Sequence, residues 1–157
     1  MHSAPEDCAQ ETAFGEVAAQ LIASGLGFRF QAKGRSMLPT IQDGEILHVC
    51  PADPASIKLG EVILFRDCNG FKAHRVIRKK SDLFTTRGDS SAQADDEILS
   101  EQIVGKVTAK ECAETGEIIS LEDANTQFRF FMSEARKQIS GHLRRASTFL
   151  LAPKVSR

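Results

Sequence analysis

Ser36 is the side chain best placed in this sequence to act as a nucleophile. It lies in Gly34-Arg35-Ser36-Met37-Leu38-Pro39-Thr40, where Gly34 permits a sharp backbone path and Pro39 fixes the exit direction. Apolar Met37 and Leu38 can anchor this loop in a core, which would hold the hydroxyl rigid. A loop serine is usually a turn-forming residue, so nucleophilic chemistry requires a base from elsewhere in the chain.

His74 is the candidate base. It falls in a predicted strand whose alternation directs Lys72, His74 and Val76 to one face. An imidazole titrates near about 6.5 and can accept a serine proton at neutral pH. Lys72 is the competing base, because a buried lysine with a lowered pKa can also activate serine. With His74 as base, activity should rise with pH through about 6–7.

Acidic residues that could orient the histidine follow the next strand. Asp89 comes after Gly88, and Asp95 and Asp96 lie in the loop beyond it. An orienting carboxylate fixes the imidazole tautomer and stabilises the imidazolium formed during attack. The same residues also suit a turn and a solvated loop, and the sequence does not choose among them.

The elements that must position these side chains are mostly short strands. They are rich in Val, Ile, Phe and Thr and are separated by Gly, Pro, Asp and Asn. The predicted strands are Phe28–Ala32, Glu45–Cys50, Glu61–Arg66, Phe71–Lys79, Leu83–Arg87, Ile103–Lys110 and Glu117–Leu121. Asn69-Gly70 predicts a tight hairpin turn within Glu61–Ile77. The predicted fold is mainly β, a twisted sheet or partly closed barrel.

Helical patterns flank this β region. Apolar residues at three- and four-residue spacings predict a helix over Glu11–Gly25, closed by Gly25 or Gly27, after a loose terminus at residues 1–10. Residues 127–157 carry seven Lys or Arg and one acid, and predict a basic, amphipathic helix. Such a helix suits docking on the domain or a partner, or peripheral contact with an anionic membrane. The predicted catalytic domain is therefore 11–126.

Composition limits the function classes. The 157 residues are 41% hydrophobic and 26% charged, which is typical of one globular domain. Trp and Tyr are absent, which disfavours stacking on nucleic acid, and the four cysteines match no common zinc spacing. No cofactor or metal is expected. The chain shows no signal peptide or membrane-spanning run, so we expect a cytoplasmic protein, with membrane contact limited to the C-terminal helix.

Five short motifs occur in the order found in the signal peptidase I superfamily, which the chain resembles over residues 34–107. They are Gly-x-Ser-Met-x-Pro-Thr-Ile at 34–41, Asp43-Gly44-Glu45, Leu59-Gly60-Glu61-Val62-Ile63-Leu64-Phe65, His74-Arg75-Val76 and Thr86-Arg87-Gly88-Asp89, followed by Val104-Gly105-Lys106-Val107. Bacterial members have lysine at the position of His74. The histidine resembles the branch that contains the endoplasmic-reticulum signal peptidase.

That resemblance implies a serine endopeptidase that cleaves a precursor or leader peptide. Ser36 would be the nucleophile, His74 the base, and Asp89 and Asp95 the candidate acids. The substrate would lie extended along a sheet edge. The family usually has Ser-Gly-Ser-Met where this chain has Gly34-Arg35-Ser36-Met37, so backbone amides, including that of Ser36, would carry most of the oxyanion stabilisation.

Two other functions are compatible with the same pattern. A catalytically inactive relative could bind a peptide or partner protein in the same groove, which the missing serine at Gly34 favours. A self-cleaving repressor of related fold is disfavoured, because no DNA-binding helix-turn-helix precedes residue 28 and the base position is not lysine.

Overall fold

A computed structural model describes residues 5–68 and 70–122, which form one α-helix and an antiparallel sheet of eight strands. The helix is α1, Pro5–Ala23. The strands are β1 Phe28–Gln31, β2 Ile46–Cys50, β3 Val62–Asp67, β4 Gly70–Lys80, β5 Leu83–Arg87, β6 Ile98–Leu99, β7 Ile103–Glu111 and β8 Ile118–Ser120. The mainly β prediction is confirmed, and all seven predicted strands are present.

The sheet is open. Its strand order is β1-β2-β7-β3-β4-β5-β6, with β8 also paired to β7. The end strands β1 and β6 do not pair with each other within the described residues, so the sheet does not close into a barrel. β3 and β4 form the predicted hairpin, with pairs running from Val62↔Arg75 to Asp67↔Gly70.

Both faces of the sheet carry apolar clusters, because alternate residues of a strand point to opposite faces. Val62 and Leu64 of β3 belong to one cluster, and Ile63 and Phe65 belong to the other. The first cluster also includes Met37 of the loop after β1. The sheet core therefore anchors the segment that contains the candidate nucleophile.

Helix α1 covers part of the first cluster. The ring of Phe14 packs against the rings of Phe28, Phe30 and Phe71, with centroid distances of 5.8, 5.5 and 5.0 Å. The helix begins at Pro5 rather than at Glu11, because proline followed by acidic residues suits the first turn of a helix. Residues 5–10 are therefore helical where the sequence predicts an irregular terminus.

Helix α1 is followed by a glycine in the left-handed conformation. Gly25 has φ +74°, and the N–H of Leu26 donates to the carbonyl of Leu21 at 2.9 Å. This left-handed residue with a bond back across the last turn is a common helix ending. Of the two glycines proposed to close the helix, Gly25 is the one that does so.

The predicted basic helix at 127–157 lies outside the described residues. In the part of the chain that is described, no helix combines the length and the apolar character needed to cross a membrane.

Candidate active site

Ser36 lies in the loop between β1 and β2, and backbone bonds close this loop at its base. The N–H of Ala32 donates to the carbonyl of Glu45, and the N–H of Gly44 donates to the carbonyl of Ala32, both at 2.9 Å. The Glu45 carboxylate is buried and binds the Lys110 ammonium of β7 at 2.9 and 3.1 Å. This buried ion pair ties the return of the loop to the centre of the sheet.

Inside the loop, the chain is held on both sides of Ser36. Gly34 has φ +91°, a left-handed conformation that favours glycine, and its N–H donates to Asp43 Oδ1 at 2.7 Å. Met37 is 5% exposed, and its carbonyl accepts the N–H of Ile41 at 2.9 Å. Ser36 is itself half-buried, so its hydroxyl is carried by a fixed backbone near the surface.

The segment after β5 holds the other side of this loop. Ser90 donates to the Ser36 carbonyl with its N–H and with its hydroxyl, each at 2.9 Å, and its hydroxyl also lies 2.7 Å from the carbonyl of Arg35. Gly88 packs so closely that a Cβ there would lie 2.5 Å from the Ser36 carbonyl oxygen and 3.0 Å from its Cβ. A larger residue at position 88 would therefore displace Ser36.

His74 reaches Ser36 from β4. Its Nε2 lies 2.9 Å from the Ser36 hydroxyl oxygen, within the range for direct proton transfer. The residue is only 8% exposed, and the ring of Phe65 packs edge-on to the imidazole with a centroid distance of 6.2 Å. Packing and the strand backbone therefore fix the imidazole against the hydroxyl.

Asp95 is the acid on the His74 ring. Its Oδ2 lies 2.6 Å from His74 Nδ1 and also accepts the hydroxyl of Thr86 at 2.7 Å. An ionised carboxylate only accepts hydrogen bonds, so the imidazole proton must lie on Nδ1. Nε2 is then unprotonated and accepts the Ser36 hydroxyl proton. The three side chains form a continuous chain of hydrogen bonds, in which the proton moves between Ser36 and His74 and Asp95 orients the ring.

Asp89 binds Arg75, whereas the carboxylate that contacts the His74 ring belongs to Asp95. The two carboxylate oxygens of Asp89 bind the Arg75 guanidinium at 2.8 and 2.6 Å, and one of them accepts the hydroxyl of Thr40. Arg75 is 1% exposed and also donates to the carbonyl of Gly60 at 2.7 Å. Of the three candidate acids, the structure thus brings Asp95 to the histidine, holds Asp89 on Arg75 and leaves Asp96 exposed.

Two residues beside the site, Thr86 and Ser90, were not among the sequence candidates. Each contacts a predicted site residue through its hydroxyl. Both flank Gly88-Asp89, and Thr86 begins the Thr86-Arg87-Gly88-Asp89 motif, but a threonine in a strand or a serine in a turn is by itself too common to mark a site.

Lys72 lies on the same strand as His74 but is engaged elsewhere. Its ammonium pairs with the Asp67 carboxylate across the hairpin. The hydrogen bond to Asp67 raises the pKa of Lys72 above the usual 10.5, and the charges of Asp67 and Asp95 act in the same direction. Lys72 is therefore protonated at neutral pH and has no lone pair with which to accept a proton from serine.

Replacing Lys72 with Met should leave turnover within about twofold of wild type, since its half-buried ion pair with Asp67 contributes little and its ammonium takes no part in the proton transfer. The pH at which activity rises should also be the same in the variant as in wild type. A lysine base with a raised pKa would instead place that rise above 10.5. Steady-state kinetics from pH 5 to pH 10 would measure both quantities, and loss of activity in Lys72→Met would contradict the assignment of His74 as base.

One edge of β4 beside the site has no paired strand among residues 5–68 and 70–122. Pairing of β4 with β5 ends at Arg75↔Arg87, so the residues before Arg75 pair with β3 alone among the described strands. The main-chain groups of Val76 bond toward β3, and main-chain groups alternate along an antiparallel strand. Those of Ala73 and Phe71 therefore face the open side, where an extended peptide could pair beside Ser36.

No protein-family model matches the chain, and a search of curated proteins finds no significant match. The resemblance to the signal peptidase I superfamily consequently rests on its short motifs and stays a prediction. The contacts among Ser36, His74 and Asp95 are independent of that resemblance, because they are distances between atoms in the fold.

Proposed function

We propose that this chain is a serine endopeptidase of the signal-peptidase type that cleaves an extended precursor or leader peptide. The observation that carries the proposal is the pair of contacts on one imidazole, 2.9 Å from Nε2 to Ser36 and 2.6 Å from Nδ1 to Asp95. A nucleophile, a base and an orienting acid in this sequence of contacts perform acyl transfer on unrelated folds. The open sheet with its helix at the N-terminus is compatible with the catalytic core of that family.

In this mechanism the Ser36 oxygen attacks the peptide carbonyl as its proton moves to Nε2 of His74. The imidazolium is stabilised by Asp95 and then gives its proton to the leaving amine, so the peptide bond breaks and an acyl-enzyme remains. A water molecule then attacks the ester while His74 takes its proton. The bond to the Ser36 oxygen breaks, His74 returns the proton to that oxygen, and the carboxylic acid product leaves. No cofactor takes part in these steps.

The oxyanion would be stabilised mainly by the backbone N–H of Ser36. The carbonyl of Arg35 accepts the Ser90 hydroxyl at 2.7 Å and the N–H of Leu38 at 3.2 Å. Because the peptide unit is planar and trans, the N–H of Ser36 points away from that carbonyl. A fixed N–H donor needs no reorganisation during attack, which partly offsets the missing serine at Gly34.

The substrate would lie along the open edge of β4. Main-chain groups of Ala73 and Phe71 would bind the peptide backbone as a strand does, whatever its side chains. This pairing would bring the scissile carbonyl to Ser36, since His74 is the next residue of β4 after Ala73. Such binding selects an unfolded or extended segment over a folded one.

A labelled fluorophosphonate would test the proposal, because it phosphonylates only an activated serine. Wild type should be labelled on Ser36 and should cleave members of a peptide library, while Ser36→Ala and His74→Ala should do neither. Ser56→Ala, which removes an exposed serine, is the control and should behave as wild type. Absence of Ser36-dependent labelling and cleavage would instead favour a catalytically inactive module that binds peptides in the same groove.

A further inference from the structure

Thr86 lies beneath the candidate triad on β5. Its residue exposure is 0%, and it pairs with Val76 of β4. Paired residues point to the same face of a sheet, and so do residues two apart on one strand. The Thr86 side chain therefore shares its face with His74, two residues before Val76.

Two hydrogen bonds join Thr86 to Asp95. The Thr86 hydroxyl donates to Asp95 Oδ2 at 2.7 Å, and the N–H of Asp95 donates to the Thr86 carbonyl at 2.9 Å. The first bond ends on the same oxygen that lies 2.6 Å from His74 Nδ1. One buried residue thus holds both the backbone and the carboxylate of Asp95.

We propose that Thr86 is a positioning residue, whose hydroxyl holds the Asp95 carboxylate in the orientation that keeps the His74 proton on Nδ1. This inference rests on the proposed function, because it assigns a task within the same site. The torsion at the end of an aspartate side chain is soft, so a single contact to the histidine would not fix the carboxylate plane. Two donors on one oxygen define that plane, and the imidazole tautomer depends on it.

The hydroxyl can be removed with little change of shape by Thr86→Val, and Thr86→Ser restores it. We expect kcat to fall about tenfold in Thr86→Val, since a hydrogen bond to a charged acceptor is lost, and KM to stay unchanged. Thr86→Ser should recover wild-type kcat. Thr85→Val is the matched control, because Thr85 is also buried on β5 but points to the opposite face.

A second measurement needs no substrate. The ¹⁵N spectrum of the His74 ring reports which nitrogen carries the proton. Wild type, Thr86→Ser and Thr85→Val should show the proton on Nδ1, and Thr86→Val should show a mixture of the two tautomers. Far-UV circular dichroism would confirm that all four proteins are folded to the same extent.

The two measurements separate the inference from the proposed function. If wild type neither cleaves peptide nor reacts with fluorophosphonate, the proposed function fails, and the ring spectrum still decides whether Thr86 fixes the tautomer. An unchanged tautomer in Thr86→Val would overturn the inference. It would also be overturned if Thr86→Ser lost as much activity as Thr86→Val, because the methyl group and not the hydroxyl would then be responsible.

Discussion

Replacing Asp95 with Asn should lower kcat by about four orders of magnitude while changing KM little. The amide group can donate where the carboxylate only accepts, so it favours the tautomer with the imidazole proton on Nε2. In that tautomer, the nitrogen 2.9 Å from Ser36 already carries a proton and cannot take another from the hydroxyl. Peptide cleavage measured at saturating substrate would report this loss as a change in kcat.

Asp96→Asn is the control for this experiment, because Asp96 is the next residue and is exposed. It should retain wild-type kcat. Urea unfolding of Asp95→Asn should show that the protein remains folded, since the substitution preserves the size of the side chain. If Asp95→Asn were as active as wild type, the contact between Asp95 and His74 would have no catalytic role.

The sheet could be predicted largely from the sequence because its signals are local. Strands rich in Val, Ile and Phe alternate with turn residues, and Asn69-Gly70 marks the β3–β4 hairpin. β6 could not be found in this way, because Ile98–Leu99 is too short to show a period and follows three acids. Sheet order was also beyond prediction, since the contact of β7 with both β2 and β3 joins distant parts of the chain.

The candidate site was predictable only in part. Ser36 could be predicted as a nucleophile in a loop and His74 as a base within a strand, in an order that resembles a known family. The choice between Asp89 and Asp95 depends on the path of the loop after β5, which no local pattern determines. The structure distinguishes the two acids by their partners. Asp95 contacts the His74 ring, and Asp89 binds the buried guanidinium of Arg75.

Asp89→Asn should lower the free energy of unfolding by about 3–5 kcal/mol, because it removes the negative charge that binds the buried Arg75 guanidinium through two hydrogen bonds. The side chains of Arg75 and Asp89 are 1% and 6% exposed, so water cannot replace the lost partner. Urea unfolding followed by far-UV circular dichroism would measure the change, since the chain has no Trp or Tyr for fluorescence. Exposed Asp96→Asn should stay within about 0.5 kcal/mol of wild type.

The double variant Arg75→Met with Asp89→Leu tests whether the loss of stability in Asp89→Asn comes from the buried charge of Arg75 or from lost packing. Removing both charges together should cost less stability than Asp89→Asn alone, because no uncompensated ion remains in the core. Arg75 also binds the Gly60 carbonyl, so some loss should persist in the double variant. If Asp89→Asn destabilised by less than about 1 kcal/mol, or if the double variant were the less stable of the two, Asp89 would not be the structural counter-charge that its contacts indicate.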